Sequence, residues 1–153
     1  MSRCEDFTAL TPDVMLDAVE QVLGTRLMGF AQPHNSYINR VYELQTAKGE
    51  RLIAKFYRPG RWSRAAIEQE HEFVLDCAAA EIPVVAPKQL ASGATLAEHA
   101  GILFAVFEKR SGREFEPNTL EDWTRIGQIL GRIHAVGAQK AAADRLRLHP
   151  QAS

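Results

Sequence analysis

Apolar residues recur along the chain in two rhythms that change at its turn residues. Over TPDVMLDAVEQVLG, residues 11–24, Val14, Ala18, Val19 and Val22 keep helical register. Thr11 suits an N-cap, Pro12 the first helical position and Gly24 the stop, so the spacing predicts a helix. From residue 25 the rhythm shortens. Strands are predicted over 25–31, over SYINRVYELQT (36–46) and over RLIAKFYR (51–58), and the AKGE turn at 47–50 joins the last two into a hairpin.

A second helix is predicted from Ser63, a good N-cap, to the stop at Pro83, followed by IPVVAPK as an extended connector. The stretch QLASGATLAEHAGILFAVFEKRSGREFE predicts three short strands. The last, ILFAVF, is apolar throughout, as suits a central strand buried on both faces. Gly112 closes the turn beyond it. In NTLEDWTRIGQILGRIHAVG, residues Leu120, Trp123, Gly127, Leu130, His134 and Gly137 fall on one helical stripe, and Gly127 with Gly131 lets another element approach closely. Such a helix wants a large partner, and the tail from Ala138 to Ser153 offers nothing substantial to pack against the stripe.

Together these elements predict an α+β fold: a twisted, mainly antiparallel sheet of about five strands with the second helix packed on it, one helix before it and one leading away. With 153 residues, 46% of them hydrophobic, the chain can bury a sizeable core and form one domain or a domain plus part of another. There is no internal repeat or low-complexity segment.

Charge and cysteines narrow the function classes. Eighteen basic and 19 acidic residues give a net charge of -1, with no overall pull toward nucleic acid or an anionic membrane. Cys4 and Cys77 read as free thiols in a reducing compartment, and neither has the close His or Cys neighbours of a zinc site. The start lacks the apolar stretch of a signal peptide and no apolar run approaches the roughly 18 residues of a membrane span, so a cytoplasmic location is expected.

Two residues stand out chemically. Lys55 shares a strand face with Ile53 and Tyr57 in the middle of an apolar run, and a lysine there needs a partner, a ligand or a route to water. At helical spacing Glu70 falls with Ile67, Val74 and Ala78, while Glu72 points the opposite way. An inward lysine and an inward glutamate on the next helix make a natural ion pair, because each lowers the other's desolvation cost. Taken singly, each also fits an ordinary surface charge. His34, Asn35 and Ser36 precede a strand in HNSYINRVYEL, as a polar hairpin turn or a ligand loop would. His71 and His134 lie at core spacing and read as structural.

The order of hairpin, IAKFYRP strand, EQEHEF helix, IPVVAP and LFAVFEKRSGREFE resembles the N-terminal lobe of kinase-like phosphotransferases of the aminoglycoside and choline kinase type, over nearly all of residues 8–137. NSYINRVYEL, AKFYRPGRWS and GRIH resemble, more narrowly, a bacterial serine/threonine protein kinase of that fold. The resemblance implies that Lys55 contacts the α and β phosphates of ATP and that Glu70 orients it. It implies a phosphate-covering loop with Ser36 near the ATP and the backbone N–H groups of Asn35, Ser36 and Tyr37 as donors, tied down by Asn39 and Arg40. No G-x-G-x-x-G is present, so Asn35 and Ser36 stand where ordinary protein kinases have glycines. Ile53 and Phe107 would line the adenine pocket, and the backbone at Glu108 and Lys109 would read the base.

The same family takes its proton acceptor and its Mg²⁺ ligands from an H-G-D loop and a later aspartate. Neither motif occurs in these 153 residues, and Asp144 sits in a context unlike both. The expected division is therefore an ATP-binding lobe over 1–112 and the start of a helical second lobe over 113–153, with no catalytic residue and no metal ligand in the chain. Expected partners are ATP with Mg²⁺ and a protein substrate or a small-molecule alcohol such as an aminoglycoside, choline or homoserine-like compound. A noncatalytic interaction module, dimeric through the last helix, is the alternative of a different class.

Overall fold

The computed structural model describes residues 7–112 and 114–147. Cys4 and the final HPQAS lie outside the described residues. Helix α1 spans Pro12–Leu23. Thr11 Oγ1 accepts from the Val14 N–H, and Gly24 closes the helix in the left-handed conformation at φ 64°, where a glycine has no Cβ to strain. Strands β1 (Leu27–His34), β2 (Arg40–Thr46) and β3 (Arg51–Phe56) follow, then helix α2 (Arg64–Ala79), strands β4 (Ala97–His99) and β5 (Ile102–Glu108), and helix α3 (Leu120–Gly137).

The five strands form one sheet in the order β1-β2-β3-β5-β4, and every pairing is antiparallel. Three expectations shift. The first strand runs on to His34, and the second begins at Arg40 rather than Ser36, because a tight turn occupies the residues between: Ser36 Oγ accepts from the Asn39 N–H at 3.3 Å. Two strands, not three, form in the stretch from Gln89. Leu90 is used instead in the core against α1, and its N–H bonds the Ala94 carbonyl in a local turn.

The pleat sorts the side chains onto two faces. Leu44, Leu52, Ala54, Phe56, Phe104 and Val106 point to one face, where α1 covers them with Met15, Ala18 and Val19. The Phe56 and Phe104 rings stack at 4.9 Å with both residues fully buried. Each buried aromatic or aliphatic side chain here contributes about 1.5–3 kcal/mol. The other face carries Ile53, Lys55, Leu103, Ala105 and Phe107. There α2 lays Ile67 against Tyr57 and Ala105.

Helix α3 packs on α2 differently from its predicted stripe. Val136, with Ile129 and Ile133 beside it, meets Cys77 and Ile82, whereas Leu120, Trp123 and Leu130 stand exposed. The helix carries two apolar lines, and α2 takes the isoleucine one. The described residues after α3 return to α2. Lys140 bonds Glu72 and Asp76, Asp144 bonds Gln69, and Arg145 reaches Glu70. From α3 itself Arg132 donates to the carbonyls of Ala80 and Glu81 at 2.8 and 3.1 Å, satisfying backbone groups at the end of α2.

Candidate functional site

Sheet register decides which side chains meet on the α2 side. Val41, Lys55 and Ala105 form one row across β2, β3 and β5, and Glu43, Ile53 and Phe107 form the next. Lys55 emerges from the middle of β3, flanked by Ala54 and Phe56 that point into the α1 core. Its Nζ lies 3.8 Å from Glu70 Oε1 and 4.6 Å from the Tyr57 ring centre, with both ionic side chains about a third exposed. The other Glu70 oxygen accepts from Arg145 at 2.7 Å, a second cation that the spacing of the sequence gives no way to find.

Ile53 and Phe107 stand side by side across β3 and β5, and form the apolar floor beyond Lys55. At the end of β5 the Glu108 carboxylate pairs with Arg110 and Lys88. The Lys109 N–H already donates to the Arg51 carbonyl at 3.0 Å, so it is not on offer to a ligand.

The loop between β1 and β2 lies at the Lys55 end of the same sheet. Asn39 Oδ1 accepts from the Arg58 N–H at 3.2 Å, which ties the loop to the exit of β3, and the Arg40 guanidinium lies over the Phe7 ring. Tyr37 is fully exposed and Asn35 is exposed beside it. A polar cavity of about 450 Å³ opens behind the loop, lined in part by Ser36, Tyr37, Asn39, Arg40 and Arg58.

His71 is buried on α2 between Tyr57 and Thr95, its two ring nitrogens 3.0 Å from the Tyr57 hydroxyl and 2.9 Å from Thr95 Oγ1. Burial holds its pKa below the ordinary value, and burial likewise raises that of Tyr57. A neutral imidazole with both nitrogens bonded is a structural brace for α2, as its spacing suggests.

Glu43 is the polar residue that sequence reading passed over. It is 2% exposed on the Lys55 face and gathers two cationic side chains and a histidine. Its Oε1 accepts from Lys109 Nζ at 2.8 Å and Arg51 Nε at 2.6 Å, and its Oε2 lies 3.1 Å from His34 Nε2. The bond from Lys109, supported by Arg51 and His34, outweighs the effect of burial and holds the carboxyl at about 2. Alternation in VYELQT makes Glu43 look like a solvent-face residue. The hairpin register, which places it opposite Ile53, was the available signal.

Among the described residues no group of three His, Cys, Asp or Glu side chains is arranged to hold a metal ion, and no helix is long and apolar enough to cross a membrane.

The phosphotransferase enzyme family matches residues 30–152. Stress response kinase A of Escherichia coli K12 is 40% identical over 134 residues, which are 88% of this chain and 40% of that protein. The serine/threonine protein kinase RdoA of Salmonella typhimurium is 38% identical over the same shares. The chain thus spans about 40% of the length of the curated relatives it matches. In three dimensions it resembles amicoumacin kinase hAmiN, solved with AMP-PNP, Ca²⁺ and amicoumacin, at a TM-score of 0.70 and 23% identity over 84% of this chain and 40% of that one.

Proposed function

The chain belongs to the phosphotransferase enzyme family, and we propose that it is the nucleotide-binding portion of an ATP-dependent kinase that phosphorylates serine or threonine hydroxyls of a protein. The observation that carries this reading is the half-buried Lys55–Glu70 pair, set at the centre of an apolar sheet and left open on one side. A lysine so placed offers a fixed positive charge to the α and β phosphates, and the carboxylate keeps it aimed. Ile53 and Phe107 take the adenine, backbone groups of Glu108 and Lys109 read its edge, and the backbone of Asn35, Ser36 and Tyr37 covers the phosphates.

When bound, Mg²⁺ neutralises the β and γ phosphates. The described residues do not fit as its ligands. Its carboxylates, and the base that receives the hydroxyl proton, belong to the length of the relatives that this chain does not span. On this division residues 1–112 are the ATP lobe and 113–153 open the second lobe. A role in a stress response and a cytoplasmic location, where ATP is available, complete the proposal.

Protein substrate specificity is favoured by the 38% identity to a relative named as a serine/threonine protein kinase. A small-molecule substrate is the second reading, favoured by the shape shared with amicoumacin kinase hAmiN. The test is phosphate transfer from labelled ATP by the full-length protein to a cell-extract protein fraction and, separately, to a panel of aminoglycosides and amino alcohols. Label in protein bands that Lys55→Met abolishes supports the first reading. Label only in the small molecules establishes the second, and no transfer to either class refutes kinase activity.

A further inference from the structure

The base-reading and phosphate-covering segments are far apart in sequence, yet both end on one buried carboxylate. Lys109, just beyond β5, and His34, the last residue of β1 before the loop, bond opposite oxygens of Glu43, while Arg51 at the start of β3 shares the oxygen that Lys109 uses. Resting on the nucleotide-binding reading above, we propose that Glu43 is a positioning residue that sets the distance between the adenine end and the phosphate end of the site.

The geometry gives the reason. Glu43 stands directly across from Ile53, in the row that ends at Phe107, one row from Lys55. Its side chain is buried, whereas its partners are partly exposed: Lys109 at 38%, Arg51 at 42% and His34 at 43%. The carboxylate is therefore the fixed point, and the flexible side chains are held to it. The Lys109 backbone is also held by the Arg51 carbonyl, so Arg51 anchors that segment twice, once by its main chain and once through Glu43.

A purely structural carboxylate and a positioning one differ in what they do to ligands of different length. Binding of adenosine reads the base end alone, and binding of ATP reads both ends. The experiment measures the affinity of the full-length protein for adenosine and for ATP, with Mg²⁺ constant, in Glu43→Gln, Lys109→Met, His34→Ala, Lys55→Met and the Glu43→Gln/Lys109→Met double variant. Because hydrogen bonds to a charged group are worth more than neutral ones, each loss should be about tenfold. Lys109→Met should weaken both ligands alike and His34→Ala should weaken ATP alone. Glu43→Gln should weaken both and narrow the preference for ATP. The double variant should bind adenosine no more weakly than Glu43→Gln alone.

Unchanged affinities in Glu43→Gln, or additive losses in the double variant, overturn the proposal. Should Glu43→Gln not fold, Lys109→Met and His34→Ala decide, since both replace partly exposed partners; loss of the base-end and phosphate-end split refutes it. Lys55→Met separates this inference from the reading beneath it. If Lys55→Met weakens ATP while the Glu43, Lys109 and His34 variants behave as wild type, only the inference fails. If Lys55→Met leaves ATP binding unchanged, the nucleotide-binding reading fails and the inference with it.

Discussion

Glu70 divides its carboxylate between two cations, Lys55 at 3.8 Å on one oxygen and Arg145 at 2.7 Å on the other. The arginine holds the shorter contact and approaches from the end of the chain, while the lysine comes from the centre of the sheet. One carboxylate thus reports on both the strand and the returning tail.

Replacing the lysine separates folding from chemistry. Lys55 and Glu70 are partly exposed, so the pair contributes little to stability, about 0–1 kcal/mol. Lys55→Met in the full-length protein should leave the urea midpoint nearly unchanged while lowering phosphate transfer by on the order of 100-fold or more. A large fall in stability together with normal turnover would reverse the assignment.

Arg145 competes with Lys55 for Glu70 rather than assisting it. Arg145→Ala should therefore cost no more than about 1 kcal/mol of stability, less at high salt, and should leave ATP affinity equal or higher. Calorimetric titration at two ionic strengths checks both. An affinity loss as large as that of Glu70→Gln would mean that Arg145 itself touches the nucleotide.

Acid should unfold the protein in two windows. His71 has its folded pKa lowered by burial, so its contribution is fully present above its ordinary 6.5 and is lost as pH falls below that value. Glu43 is lowered from 4.5 to about 2, so its contribution is present above 4.5 and disappears as pH falls toward about 2. Urea unfolding from pH 8 to pH 2 should show both declines. Glu43→Gln should flatten the lower one and leave the upper one in place.

The core prediction is steric. Phe104 is fully buried and stacked on Phe56 between the sheet and α1, so Phe104→Ala should cost about 3–5 kcal/mol by removing transfer energy and leaving a cavity. Thr11→Ala, which removes one cap bond at an exposed helix start, should cost about 1 kcal/mol. Denaturant melts of the two variants should rank in that order.

What the sequence made legible follows from the range of the forces. The Thr11 and Gly24 caps, the 47–50 turn and the Ser63 cap are interactions between near neighbours, and each stands where local pattern puts it. The meeting of Lys55 with Glu70 was within reach too, because pleat alternation and helical spacing fix the direction of each side chain. Glu43 was legible only in part: the hairpin register places it opposite Ile53, but its partners lie at residues 34, 51 and 109 and nothing local announces them. Helix α3 failed for another reason. Periodicity shows that residues share a line, but α3 has two such lines, and only the shape of α2 selects Ile129, Ile133 and Val136 over Leu120, Trp123 and Leu130.

The clasp of Arg132 on the Ala80 and Glu81 carbonyls just past α2 bears on how such a molecule would be switched. Together with Lys140 on Glu72 and Asp76, it bolts the helix that carries Glu70 to the helix that leads out of the lobe. A swing of α2 that parted Glu70 from Lys55 would either break these contacts or carry α3 with it. Because these contacts are exposed, and the ion pairs among them are weakened by water and salt, they bias the two helices to move together rather than lock them.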